Sequence, residues 1–74
     1  MPRAPRVTAQ KLIRALKKIG FVMHAERGTS HVVLSHADGR RVTVPRHPGD
    51  IRKGTLGGIL RDLDMTPDDL RNIL

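Results

Sequence analysis

Apolar positions follow two different periods along this 74-residue chain, and the changes of period outline its elements. Leu12, Ile13, Leu16 and Ile19, with Ala9 and Ala15, recur at the spacing of one helical stripe, while Lys11, Arg14, Lys17 and Lys18 fall mostly on the opposite side. Thr8 stands where an N-cap belongs and Gly20 where a helix closes, so the pattern predicts a helix from Thr8 to about residue 19. The period then drops to two. Residues 21–26 read as a first strand, with Phe21, Met23 and Ala25 on one side and Val22, His24 and Glu26 on the other.

Arg27-Gly28-Thr29 turns the chain into a second strand over residues 30–35, rich in β-branched side chains. Residues 37–40, Ala-Asp-Gly-Arg, form a hairpin turn because Asp-Gly tolerates the positive φ such turns require. Residues 41–44 alternate charged, apolar, polar, apolar, and Pro45 ends this third strand because it cannot donate to a sheet ladder. A loop over residues 46–54 follows, with Pro48-Gly49 marking a turn and Asp50 or Thr55 available to cap the next helix. Leu56, Ile59, Leu60 and Leu63 carry that helix to about residue 63. Gly57 and Gly58 inside it cost about 1 kcal/mol each against alanine; they either permit a close approach to the sheet or a partner or are simply tolerated. Thr66-Pro67-Asp68-Asp69 starts a last helix, with an N-cap, proline at N1 and acids in the first turn, and Leu70, Ile73 and Leu74 form its apolar edge. The order is α-β-β-β-α-α, an α+β fold with a three-stranded antiparallel meander covered on one face. Residues 1–74 form one domain, with residues 1–7 a flexible basic arm.

Composition narrows what such a domain does. A chain of this size acts through its surface rather than a deep cleft. It has no cysteine, which excludes disulfides, thiolate metal sites and cysteine nucleophiles. No apolar run approaches the roughly 20 residues of a membrane span, and residues 1–10 lack an apolar signal region, so the expected location is cytoplasmic with no membrane partner. Charge is uneven. Residues 1–61 hold 13 bases and 3 acids, a net of +10, whereas residues 62–74 hold 4 acids and 1 base, a net of −3. A basic body of this kind attracts polyanions; its ordinary alternative is a solvated surface. Phe21 is the single aromatic residue, so stacking of bases on several rings is excluded and phosphate contacts and shape must do the work.

Four histidines, His24, His31, His36 and His47, are the candidates for chemistry. None pairs at i, i+4 on a predicted helix and no Cys/His cluster is present, which leaves acid–base chemistry without a metal or other cofactor. His31 is the best placed. It opens the second strand after three small residues that let a bulky backbone approach, and with Val32 and Leu34 buried it faces outward beside Val33, Ser35, Arg41 and Thr43. An exposed imidazole among cations suits RNA cleavage, taking the 2′-hydroxyl proton or giving one to the leaving oxygen. An ordinary exposed strand histidine is the commoner case. His24 and His36 read as surface residues, and His47 is either a second acid–base group or a capping residue. Arg27, Gly28, Ser30, Arg40, Arg41, Arg46, Arg52 and Lys53 are the expected RNA contacts.

These motifs, in this order, resemble the HicA (YcfA-like) toxins, the mRNA interferase half of HicAB toxin–antitoxin pairs. The resemblance runs from the leading helix and Gly20-Phe21 through Gly28-Thr29-Ser30-His31, the hairpin of residues 38–45 and His47 to Gly54-Thr55-Leu56 with Ile59-Leu60. It implies a double-stranded-RNA-binding-domain-like α-β-β-β-α fold, here with an additional C-terminal helix. It also implies a metal-independent endoribonuclease acting on mRNA, His31 as the catalytic residue, and inhibition by a HicB-type antitoxin. Two positions depart from the pattern. Thr29 is inserted where the family usually has Gly-Ser-His, and Leu34 stands where an aromatic residue is common three places after the histidine. Rival readings are a non-catalytic RNA-binding module of the same fold, a DNA-binding protein using the helix from about Thr55, and an interaction protein that docks a partner on its sheet.

Overall fold

The four valines and leucines that alternate along the central hairpin decide where the helices lie. A computed structural model describes residues 5–24, 30–46 and 48–74. In order these form α1 (Ala9–Lys18), β1 (Val22–His24), β2 (His31–Ser35), β3 (Arg41–Pro45), α2 (Lys53–Leu63) and α3 (Pro67–Ile73). The strands make one antiparallel sheet in the order β1-β2-β3, and the sequence-based α-β-β-β-α-α reading holds. Val32, Leu34, Val42 and Val44 share one face and enter a single core with Leu12, Leu16, Leu56, Leu60, Leu63 and Leu70 from the helices.

α1 begins and ends as its residues dictate. Thr8 Oγ1 accepts the Lys11 N–H at 3.2 Å. At the other end the N–H groups of Gly20 and Phe21 reach back to the carbonyls of Lys17 and Leu16. This is the paired closure that requires a left-handed residue, and Gly20 supplies it at φ 101°. A Cβ there would also stand 2.9 Å from His36 Nε2. Because the Phe21 N–H is spent on the helix, the strand starts one residue later than the alternation predicts, and Phe21 is buried in the core instead. The predicted strand positions Ala25 and Glu26 lie outside the described residues. Val7, read from sequence as part of the arm, is 1% exposed and belongs to the core. Its carbonyl accepts the Ile51 N–H at 2.9 Å, so Val7 is not part of a flexible arm; residues 1–4 of the expected arm lie outside the described residues.

The hairpin turn has three residues, 37–39, closed by a bond from His36 N–H to the Arg40 carbonyl at 2.9 Å. Of the Asp-Gly pair only Gly39 takes a positive φ, 99°. This matches a turn followed by one left-handed residue rather than a two-residue loop. The tip is fastened to the C-terminal ends of α1 and α2. His36, expected at the surface, is half-buried, with its ring edge-on to Phe21 at 4.9 Å between centroids. Its Nε2 lies 2.9 Å from the Ile19 carbonyl and its Nδ1 3.0 Å from Asp38 N. The neutral Nε2–H tautomer satisfies both, donating from Nε2 and accepting at Nδ1. The 3.1 Å contact of Nδ1 with Asp38 Oδ2 becomes an ion pair only when the ring is protonated. Arg40 lies over the Phe21 ring, donates from Nε to Asp38 Oδ2 at 2.8 Å, and donates from Nη1 to the Leu63 carbonyl at 2.8 Å. The last bond caps the end of α2.

α2 starts between the two expected caps. Its N-cap is Arg52, without a side-chain cap bond, and neither Asp50 nor Thr55 takes that place. Asp50 instead bridges to Thr8, which seats Ile51 in the core ahead of the helix. α3 has the full capping box: Thr66 Oγ1 accepts the Asp69 N–H at 3.1 Å and Asp69 Oδ2 accepts the Thr66 N–H at 2.9 Å. Leu70 is fully buried and Ile73 packs against the core, while Leu74 is 46% exposed. Among the described residues no helix is long and apolar enough to cross a membrane.

Two predictions follow from this packing. No described atom lies within 4 Å of a Cβ built at Gly57 or Gly58, so both glycines weaken the helix without serving a contact in the fold. Gly57→Ala should raise stability by about 1 kcal/mol and the melting temperature by about 4–8 °C; a lower melting temperature would show that the glycine is structurally required. The second concerns acid. The Asp38 carboxyl is held below its ordinary value, first by the Arg40 backbone N–H, against a smaller desolvation effect, and then by the Arg40 guanidinium and His36. A carboxyl depressed in the folded state stabilises the protein above its unfolded pKa, and that contribution is lost as pH falls through the folded value. Asp38→Asn should therefore be less stable than the parent at pH 6, with the gap closing below about pH 4. Urea midpoints across that range measure it, and a gap independent of pH would refute the charge argument.

Candidate functional site

Burying one face of the sheet leaves the other to solvent, and strand register fixes what that face carries. Partners across an antiparallel pair project to the same side. Val33 pairs with both His24 and Thr43, Ser35 with Val22 and Arg41, and His31 with Pro45. These residues form the face opposite the core, as the sequence predicts for His31, Val33, Ser35, Arg41 and Thr43. Val33 is only 8% exposed although it faces outward. It sits on the central strand, between neighbours on both sides. His31, His24, Thr43 and Arg41 are exposed around it, and Val22 is 61% exposed.

The hairpin sorts the expected RNA-contact residues into two ends. At one end lie Ser30, His31 and Arg46. The Arg46 N–H donates to the Ser30 carbonyl, so the arginine is tied by backbone to the residue before the histidine. At the other end lie Arg40 and Arg41. His31 and Ser35 are the first and last residues of β2, which at strand rise separates them by roughly 13 Å. Arg41, opposite Ser35, is therefore remote from His31. Arg40 departs from the sequence-based expectation: its guanidinium holds Asp38, the Leu63 carbonyl and the Phe21 ring, and that engagement gives it a structural task. Arg52 and Lys53 are exposed at the start of α2. Arg27, Gly28 and His47 lie outside the described residues.

A second imidazole shares the open face. His24 Nε2 lies 2.7 Å from Ser35 Oγ, and His24 stands diagonal to His31 across Val33. Alternation alone grouped His24 with Val22 and Glu26. Only the Met23–Leu34 register shows that this group shares the histidine's side. Among the described residues no three of His, Cys, Asp and Glu gather as a metal-holding group. The imidazoles exposed on this face can give or take a proton.

Comparison with known proteins agrees with the residue-level reading. A search of curated proteins found no match. The family model described as the HicA toxin of bacterial toxin–antitoxin systems matches residues 9–65, from the first residue of α1 to just beyond α2. That span includes α1, the open face, the hairpin and α2, and the chain thus belongs to the HicA toxin family.

Proposed function

We propose that this toxin is a metal-independent endoribonuclease that cuts mRNA in the cytoplasm, with His31 as general acid or base, and that a HicB-type antitoxin inhibits it by covering the open sheet face. The observation that carries the reading is the exposed position of His31 on that face, inside the family-matched span. In the reaction the 2′-hydroxyl loses its proton to a base and its oxygen bonds to the adjacent phosphorus. The bond from phosphorus to the 5′-oxygen breaks, and that oxygen takes a proton from an acid. The products are a 2′,3′-cyclic phosphate and a 5′-hydroxyl. His31 fills one of the two proton roles, and His47, a neighbouring cation or water fills the other. Arg46 holds the backbone beside His31, joined by Ser30, Arg27 and Gly28, while Arg41, Arg52 and Lys53 bind phosphates farther along the strand. Arg40 is left to the fold.

The test uses purified protein and its His31→Ala variant on a long mRNA in excess EDTA. The parent should cleave and leave cyclic phosphate ends, and the variant should bind RNA but cleave at least about 10²-fold more slowly. Equal cleavage would remove His31 from the chemistry. Binding by both with steep salt dependence and no cleavage would make the protein an RNA-binding module. Added HicB-type antitoxin should abolish cutting by the parent.

A further inference from the structure

Beside the sheet, on its helix side, a groove of about 520 Å³ runs between α1, the edge strand β1 and the loop that follows β3. Its floor is apolar, formed by Ala9, Ile13 and Met23; the first two are nearly buried and Met23 is 37% exposed. Its rim is cationic, carrying Arg14 and Lys17 one helical turn apart and Arg46 facing them from the loop. No carboxylate lines it. All three cations are exposed, and none has an ion pair or side-chain hydrogen bond among the described residues. Arg46 follows Pro45, the register partner of His31, so the groove begins at the catalytic end of the hairpin.

Exposed cations around an apolar floor suit a ligand that is anionic at its edges and flat and apolar at its centre. A nucleotide within a single strand has that form. In a duplex the base is stacked and paired, and only the phosphates remain available to the rim. Methionine is the apolar side chain best able to lie against a base in a protein without surface aromatic rings, because its thioether packs favourably on aromatic systems. We infer that this groove is a single-stranded nucleotide subsite: Arg14, Lys17 and Arg46 hold successive phosphates, and the intervening unpaired base lies on Met23 and Ile13. This rests on the reading of RNA as the substrate, and it makes the toxin selective for unpaired segments next to the cut.

The experiment measures binding apart from cleavage. The probe is a fluorescein-labelled 12-nucleotide 2′-O-methyl RNA, which lacks the attacking hydroxyl, titrated at several salt concentrations by anisotropy. Each lost phosphate contact on a single strand lowers the slope of log affinity against log salt by about 0.7. The Arg14→Gln/Lys17→Gln variant should therefore lose about 1.4 in slope and about 25-fold in affinity at 0.1 M salt. Lys11→Gln/Lys18→Gln removes the same charge from the same helix outside the groove and should lose much less. Met23→Ser should bind about fivefold more weakly with an unchanged slope, its fold checked by a thermal melt. Annealing the probe to its complement should weaken binding to the parent. If the parent binds and the two double variants fall equally, or the duplex binds as well as the single strand, the subsite is overturned while the ribonuclease reading stands. If the parent neither binds the probe nor cleaves mRNA, both fall together.

Discussion

A three-stranded sheet this small can bury only one face, and everything else in the molecule follows from that limit. Val32, Leu34, Val42 and Val44 use the available helices completely, with Leu16 and Leu63 packed beneath them at zero exposure. No described element remains to cover the second face. A histidine on that side is presented to solvent by the same alternation that buries its neighbours. The candidate site needs no cleft, because it lies on the half of the fold that no described element covers.

What keeps this thin arrangement in register is a cluster at the tip of the hairpin. Phe21, His36 and Arg40 touch one another, and through them the turn reaches the C-terminal ends of α1 and α2, at the carbonyls of the C-cap residue Ile19 and of Leu63. The bonds to carbonyls satisfy groups that helix ends otherwise leave to water. The only aromatic ring in the chain is spent here, as the platform for one imidazole and one guanidinium.

The sequence made the local signals legible and concealed the distant ones. Thr8, Gly20, Gly39 and the Thr66–Asp69 box act within four residues of themselves, and each is found doing what its chemistry predicts. Arg40 reads as a free cation because its neighbours are Gly39 and Arg41; its partner Leu63 is 23 residues away. Asp50 has the chemistry of a cap, but the backbone there pairs with Thr8 and the helix starts only after Ile51 is seated. The outward side of His31 was readable from Val32 and Leu34. The company of His24 was not, since it depends on a register between strands that the alternation does not encode.

The tip cluster also joins parts of the chain that are far apart in sequence. His36 meets Ile19 across 17 residues and Arg40 meets Leu63 across 23. Loops of that length must close before either bond can form, and contacts of high sequence separation slow folding. The fastening that stabilises the hairpin is thus also one of the slower things for the chain to make.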